Sequence, residues 1–187
     1  MGTMSGGAKL DAYLKAVVEK VGKAQALSVG FLENSTYVDG TSLPMVAAIQ
    51  EFGAPSQGIP PRPFMRATFN EHSKEWGPLF AERLRAHDYD VAAALRDMGE
   101  SIASQIQETI FALQSPPLSP VTLMLRSMKA KDPGLVVTGA TVGEAAARVA
   151  AGKQPTGLGA MGSKPLVASG HLSNSVGWAV EDGSGGA

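Results

Sequence analysis

Residues 90–114 read DVAAALRDMGESIASQIQETIFALQ, the most regular hydrophobic pattern in the chain. Val91, Leu95, Met98, Ile102, Ile106, Ile110 and Leu113 recur at three- and four-residue spacing, which puts them on one side of a helix of about seven turns. Arg96, Asp97, Glu100, Gln107 and Glu108 fall away from that side. The spacing predicts a long central helix from Asp90 to Gln114, with Asp88 or Asp90 placed to cap it. Ser115-Pro116-Pro117 stops it, because proline lacks the donor that a further turn needs.

Working outward, residues 64–86 form a second helical pattern, interrupted at Gly77-Pro78. A kinked helix or two short ones are both open there. Phe64, Thr68, Phe69, Trp76, Leu79, Phe80 and Leu84 would supply its buried face. Ahead of it, Ile59-Pro60-Pro61-Arg62-Pro63 reads as a stiff extended arm. Each proline fixes φ near −65° and pushes the preceding residue out of the helical region. Leu43 to Phe52 reads as a short helix, with Pro44 at its first position and Gly53 just past its end. Val46, Ile49 and Phe52 are spaced for one face. Further back, Lys9 to Gln25 carries an apolar stripe of Leu10, Leu14, Val17, Val18 and Val21. Leu27 to Glu33 alternates like a strand. Asn34 to Gly40 is a hairpin return or a plain loop.

Downstream, Ser119 and Pro120 are placed to open a short helix ending near Lys131. Arg126, Lys129 and Lys131 form a small basic cluster, well placed near a helix C-terminus. Residues 132–163 are Gly/Ala-rich and long for a connection. Gly134 to Thr138 is a candidate strand, Thr141 to Ala151 an Ala-rich helix and Gly152 to Ser163 a flexible stretch. Leu166-Val167 and Ser175 to Glu181 read as strands. The expected fold class is α+β: a small, mostly antiparallel sheet packed on the long central helix, with an extended Pro-rich arm and a Gly/Ala-rich insertion. One domain spanning 1–187 is expected, with 132–163 as an insertion or extended loop that contacts a neighbouring subunit.

Composition narrows the function. The apolar fraction, 44%, is enough to build a core. There is no cysteine, so no disulfide framework or thiolate metal site. Net charge is −1, without the basic excess that phosphate binding requires, so sequence-specific DNA binding is not expected. The opening residues lack the apolar core of a signal peptide, and no apolar run reaches the length of a membrane span.

Catalytic patterns are sparse. Gly157, Gly159 and Gly162 match GxGxxG, but a dinucleotide site needs a strand before them and a helix after. Pro155 and Pro165 bracket the match, which favours a loop. His72, His87 and His171 share no ligand spacing. Glu33, Asp39, Glu51 and Glu71 offer no carboxylate pair of the glycosidase kind. A hydrolase could use His171 with the serines of the Ser169–Ser175 segment, although no GxSxG elbow accompanies them. No catalytic, cofactor-binding or metal-binding residue is assigned. Arg62 and Arg66 flank Phe64, either as a basic edge facing an acidic partner or DNA, or as structural arginines bonding loop carbonyls.

Three segments carry a resemblance. The first is Glu51-Phe52-Gly53 followed by Pro60-Pro61-Arg62-Pro63-Phe64-Met65-Arg66. The second is Pro117-Leu118-Ser119-Pro120-Val121-Thr122. The third is Lys164-Pro165-Leu166-Val167-Ala168-Ser169-Gly170-His171-Leu172-Ser173-Asn174-Ser175-Val176. In this order they resemble the small neck proteins of tailed bacteriophages, the tail-completion or head–tail joining family. The chain departs from the family at Ala168-Ser169, where Asp-Thr is common, and at Ser173, where a basic residue is common. The resemblance implies a non-enzymatic virion protein, resident in the host cytoplasm during assembly and then in the neck. It implies a homo-oligomeric ring, six subunits being expected, through whose lumen DNA passes unread. A head-completion or connector protein would lie on one side and the tail terminator or tail tube on the other. No membrane and no cofactor are implied. Ile59, Pro60, Pro61, Arg62, Pro63, Phe64 and Arg66 are the expected subunit or partner contacts. A tail terminator capping the tail tube is the alternative role.

Overall fold

The computed structural model describes residues 6–22, 25–37, 40–167 and 170–182. Its elements run α1 (Gly6–Val21), β1 (Gln25–Phe31), α2 (Leu43–Phe52), α3 (Phe64–Ala86), α4 (Val91–Ala112), α5 (Pro120–Lys131), α6 (Gly139–Ala150), α7 (Gly159–Gly162), α8 (His171–Asn174) and β2 (Val176–Asp182). The fold class is α+β, with a small antiparallel sheet packed on a long helix. The chain divides into two compact units. One takes residues 1–31, 68–105 and 176–187; the other takes 32–67 and 106–175. A single domain was the expectation from sequence. Neither unit is a contiguous run, so no linker composition marks a boundary.

In the first unit β1 and β2 pair in antiparallel register, from Gln25 opposite Asp182 to Phe31 opposite Val176. Leu27 faces Val180 and Val29 faces Trp178. Directly opposed residues share a face, so the alternating apolar residues of both strands line one side. That side lies on α4. A Cβ built on Gly99 would meet the Trp178 ring at 2.6 Å, so the indole rests where only glycine leaves room. Ala94, Met98, Ile102 and Ala103 are buried along the same helix. Asp90 caps α4 by accepting from the Ala93 amide at 3.1 Å. The turn before it holds Asp88 and Tyr89 at φ 49 and 63. Lys20 of α1 donates to the Asp88 carboxylate at 2.7 Å and to its carbonyl at 2.9 Å.

Several expectations are corrected here. α1 ends at Val21, where Gly22 weakens the last turn, and Gln25 opens the strand instead of closing the helix. α3 runs unbroken through Pro78. Pro78 lies on the exposed side, where the carbonyl left without a donor can face water. Phe69 is exposed and meets Trp76 edge-on, with ring centroids 5.6 Å apart. Val38 of the 34–40 segment lies outside the described residues.

In the second unit α5 opens as expected, with Ser119 accepting from the Thr122 amide at 3.1 Å and Pro120 in the first turn. α6 packs on α5 through Met124, Met128 and Ala145, joined by Leu135 and Val149. Thr138 and Thr141 form a reciprocal capping box at its start. Residues 135–138 are not a strand but an irregular lead-in, with Val136 and Val137 exposed. Leu166 and Val167 are not a strand either; they are buried in a turn and the loop after it.

Candidate interaction surface

The second unit brings the three motif segments together, and buried side chains hold them there. α2 begins with Ser42 accepting from the Met45 amide at 3.4 Å. Its buried row is Leu43, Ala47 and Glu51. Of the residues spaced for one face, Val46 and Ile49 are half-buried, whereas Phe52 is 67% exposed, as is Met45 at 62%. The reason is Glu51, a charged residue only 5% exposed. Its carboxylate accepts from the Met65 amide at 2.9 Å and the Arg66 amide at 3.2 Å, capping the free donors at the start of α3. Arg66 Nε donates to it at 2.8 Å, and Arg66 also donates to the Glu51 carbonyl at 2.9 Å. Burying one ion-paired carboxylate under the helix end turns Phe52 outward. The Arg66 guanidinium then stacks 5.2 Å from the Phe52 ring.

Gly53 reverses the chain at φ 78. A Cβ there would come within 2.8 Å of Pro61 N and 2.9 Å of the Ile59 carbonyl oxygen, so the arm folds back tightly on the end of α2. Arg62 anchors it. Its amide donates to the Gln50 carbonyl at 2.6 Å. Its guanidinium donates to Gln50 Oε1 at 3.1 Å, to the Pro116 carbonyl at 3.1 Å and to the Pro117 carbonyl at 3.2 Å. The Arg62 side chain is thus buried, and Phe64 is fully buried at the first turn of α3. Arg62 is therefore the loop-bonding arginine of the two readings. Arg66 keeps part of its charge outside while paired to Glu51.

A second arginine repeats the device. Arg126 of α5 donates to the carbonyls of Gly162 at 2.9 Å, Lys164 at 2.7 Å and Pro165 at 3.0 Å. Lys164 Nζ in turn donates to the Phe111 carbonyl at 2.9 Å, at the end of α4. Burial lowers the pKa of both guanidinium groups, and the charge of Arg62 lowers that of Arg126 further. Arginine stays charged through such shifts, and its fork matches several fixed carbonyls at once.

The expected contact residues therefore separate. Arg62 and Phe64 face inward, and Ile59 and Pro63 are half-buried. Pro60, Pro61 and the edge of Arg66 face out, continuous with Phe52 and Met45. The composition of this face, with Met, Phe, Pro and a stacked Arg, is that of protein-binding surfaces. The role of Glu51 has a sequence signal in hindsight: a carboxylate two residues before a glycine reversal that leads to a helix start. Arg126 has none, since its three acceptors lie some 40 residues downstream.

Ser173 is buried and donates to the Gly170 carbonyl at 2.9 Å. His171 lies against Tyr37, with ring centroids 5.5 Å apart. Ser169 lies outside the described residues. Irregular chain precedes the Gly157–Gly162 match, where a dinucleotide site would need a strand, and α7 after it is a single turn. His72 pairs with Glu75 at 3.7 Å on one helix face. Among the described residues no group of three His, Asp or Glu is placed to hold a metal ion. No described helix is long and apolar enough to cross a membrane. An open cleft of about 640 Å³ in the first unit is lined by Glu19, Lys20, Gln25, His87, Asp88 and Asp90. Comparison with family models, curated proteins and solved structures gave no match to the chain.

Proposed function

We propose that this chain is a non-enzymatic structural subunit of a ring at the head–tail junction of a tailed bacteriophage, with DNA passing through the lumen. The observation that carries this reading is that the three resembling segments form one connected unit. Glu51 caps the helix that follows the arm, Arg62 of the arm holds the Pro116–Pro117 loop, and Arg126 holds the Lys164–Pro165 segment. Segments that resemble a family in sequence order and also depend on one another physically are stronger support than matches scattered over a surface. The near-neutral charge suits a wall that DNA slides past without being held. The outward Pro60-Pro61 edge is stiff, so docking it orders few degrees of freedom. Exposed Val136 and Val137 give the 132–163 segment an apolar edge suited to a neighbour.

The test is made in the phage or prophage that carries the reading frame. With the frame disrupted, DNA-filled heads and free tails should accumulate apart, and the chain supplied in trans should rejoin them. The chain should also be present in purified particles. Fully infectious particles that lack it would overturn the reading.

A further inference from the structure

We infer that Arg62, Arg126 and Lys164 form a binding site for a phosphate dianion in the second unit. A buried charge is ordinarily matched by an opposite one. Arg62 is only 4% exposed. Yet every acceptor around its guanidinium is neutral: Gln50 Oε1 and the Pro116 and Pro117 carbonyls. Arg126 is half-buried and meets only the carbonyls of Gly162, Lys164 and Pro165. Half-buried Lys164 meets only the Phe111 carbonyl. Among the described residues no carboxylate lies within ion-pair distance of any of the three. Arg66, by contrast, is paired to Glu51 at 2.8 Å.

The three cations are linked through the segments they hold. Lys164 Nζ donates to the Phe111 carbonyl, shortly before the Pro116–Pro117 loop that Arg62 holds. The Lys164 carbonyl accepts from Arg126 at 2.7 Å. The charge of Arg62 reaches Arg126 and opposes its charge. Donors also remain. A guanidinium has five N–H groups and an ammonium three. Each arginine uses three of its five and Lys164 one of its three, so each side chain keeps two for a ligand.

Charge selects the ligand. The side chains bring three positive charges, and the C-terminal end of α4, where Lys164 bonds, offsets about half of one. A carboxylate supplies a single negative charge on two oxygens, whereas a phosphate supplies roughly 1.5 to 2 on three or more. Phosphate therefore comes closer to balance and offers an oxygen to each cation. A nucleic-acid backbone fits less well. Each of its diesters carries one charge, and the chain, at net charge −1, lacks the basic excess that holds a polyanion. Bound there, the dianion ties the Pro arm, the 116–117 loop and the 162–165 segment through one group, so it should stabilise the fold.

The test uses the full chain, purified without phosphate. Inorganic phosphate and ribose 5-phosphate are titrated separately by calorimetry, at an ionic strength held constant with sodium chloride. One site per chain is expected, and the tighter of the two probes tells whether the phosphate is taken free or as a monoester. At about 100 times Kd the Tm should rise by about 5–10 °C, with no rise in chloride alone. Lys164→Gln should weaken binding about tenfold while far-UV circular dichroism stays unchanged, and Lys164→Arg should retain it. Lys164 carries this test because Arg62 and Arg126 variants risk unfolding. No heat with either probe, a Tm rise no larger than in chloride, or an unchanged Kd in Lys164→Gln overturns the site. Displacement of bound phosphate by polyglutamate, or by a DNA duplex with 5′-hydroxyl ends, overturns the choice of a phosphate dianion.

Discussion

Each of the two units is held together internally by a different means. In the first, a two-stranded sheet lies on α4 by shape: the Trp178 ring occupies the space that Gly99 leaves by having no side chain. Two strands alone are marginal, so this apolar face keeps the sheet in place. In the second, partly buried loops have no ladder to satisfy their carbonyls. Arg62 and Arg126 do it instead, with two and three backbone acceptors respectively. Sheets pair their own backbone, whereas irregular buried chain must import donors. A guanidinium brings several at once.

The difference is sharpest at Arg62. Arg62→Ala strips donors from the part-buried Pro116 and Pro117 carbonyl contacts and from Gln50, and should cost about 2–3 kcal/mol, read as a shift of the urea midpoint. Arg62→Lys should recover little, because an ammonium cannot span acceptors that a planar fork reaches. A lysine variant as stable as the parent would break the distinction between the units. Next comes Trp178→Ala, expected to cost about 2–3 kcal/mol through the cavity left on the half-buried sheet face. Gly99→Ala should destabilise by about 1–2 kcal/mol, since crowding of the indole outweighs the better helix propensity of alanine. A stabilised Gly99→Ala would mean that the ring does not rest on the helix. The smallest effect concerns one of the polar contacts in the first unit. His87 hydrogen-bonds Asp97 at 2.8 Å and, with Arg83 nearby, holds that carboxylate below its usual range against an opposing effect of burial. A depressed folded pKa stabilises above the unfolded value, so the contribution is complete above about pH 4 and fades as pH falls further. Asp97→Asn should flatten stability in that acid window and leave it little changed in shape near neutrality, as followed by thermal unfolding across pH.

Much of the architecture was legible. The 90–114 periodicity, the Ser119–Pro120 start and the Pro44 and Gly53 brackets all mark their elements correctly. The alternation of Leu27, Val29 and Phe31, and that of Val176, Trp178 and Val180, gives two strands that do pair. The candidate surface was legible only in outline. The Pro arm was visible, but periodicity put Phe52 on one face with Val46 and Ile49 and left Glu51 without a role. Apolar spacing assumes that burial follows hydrophobicity. At α2 the uncapped amides of α3 attract a carboxylate strongly enough to reverse that order. Arg62 and Arg66 were indistinguishable in sequence, since their difference lies in which carbonyls and carboxylate each reaches.

By itself, the sequence determined the local conformations: helices where apolar residues recur every three or four positions, reversals at glycine, and extended chain at proline. Those choices depend on neighbours within a turn or two. The tertiary structure alone decided which faces stay bare and which charges are buried. Those outcomes depend on groups tens of residues apart, such as Arg126 and the carbonyls of 162–165, that no local pattern connects.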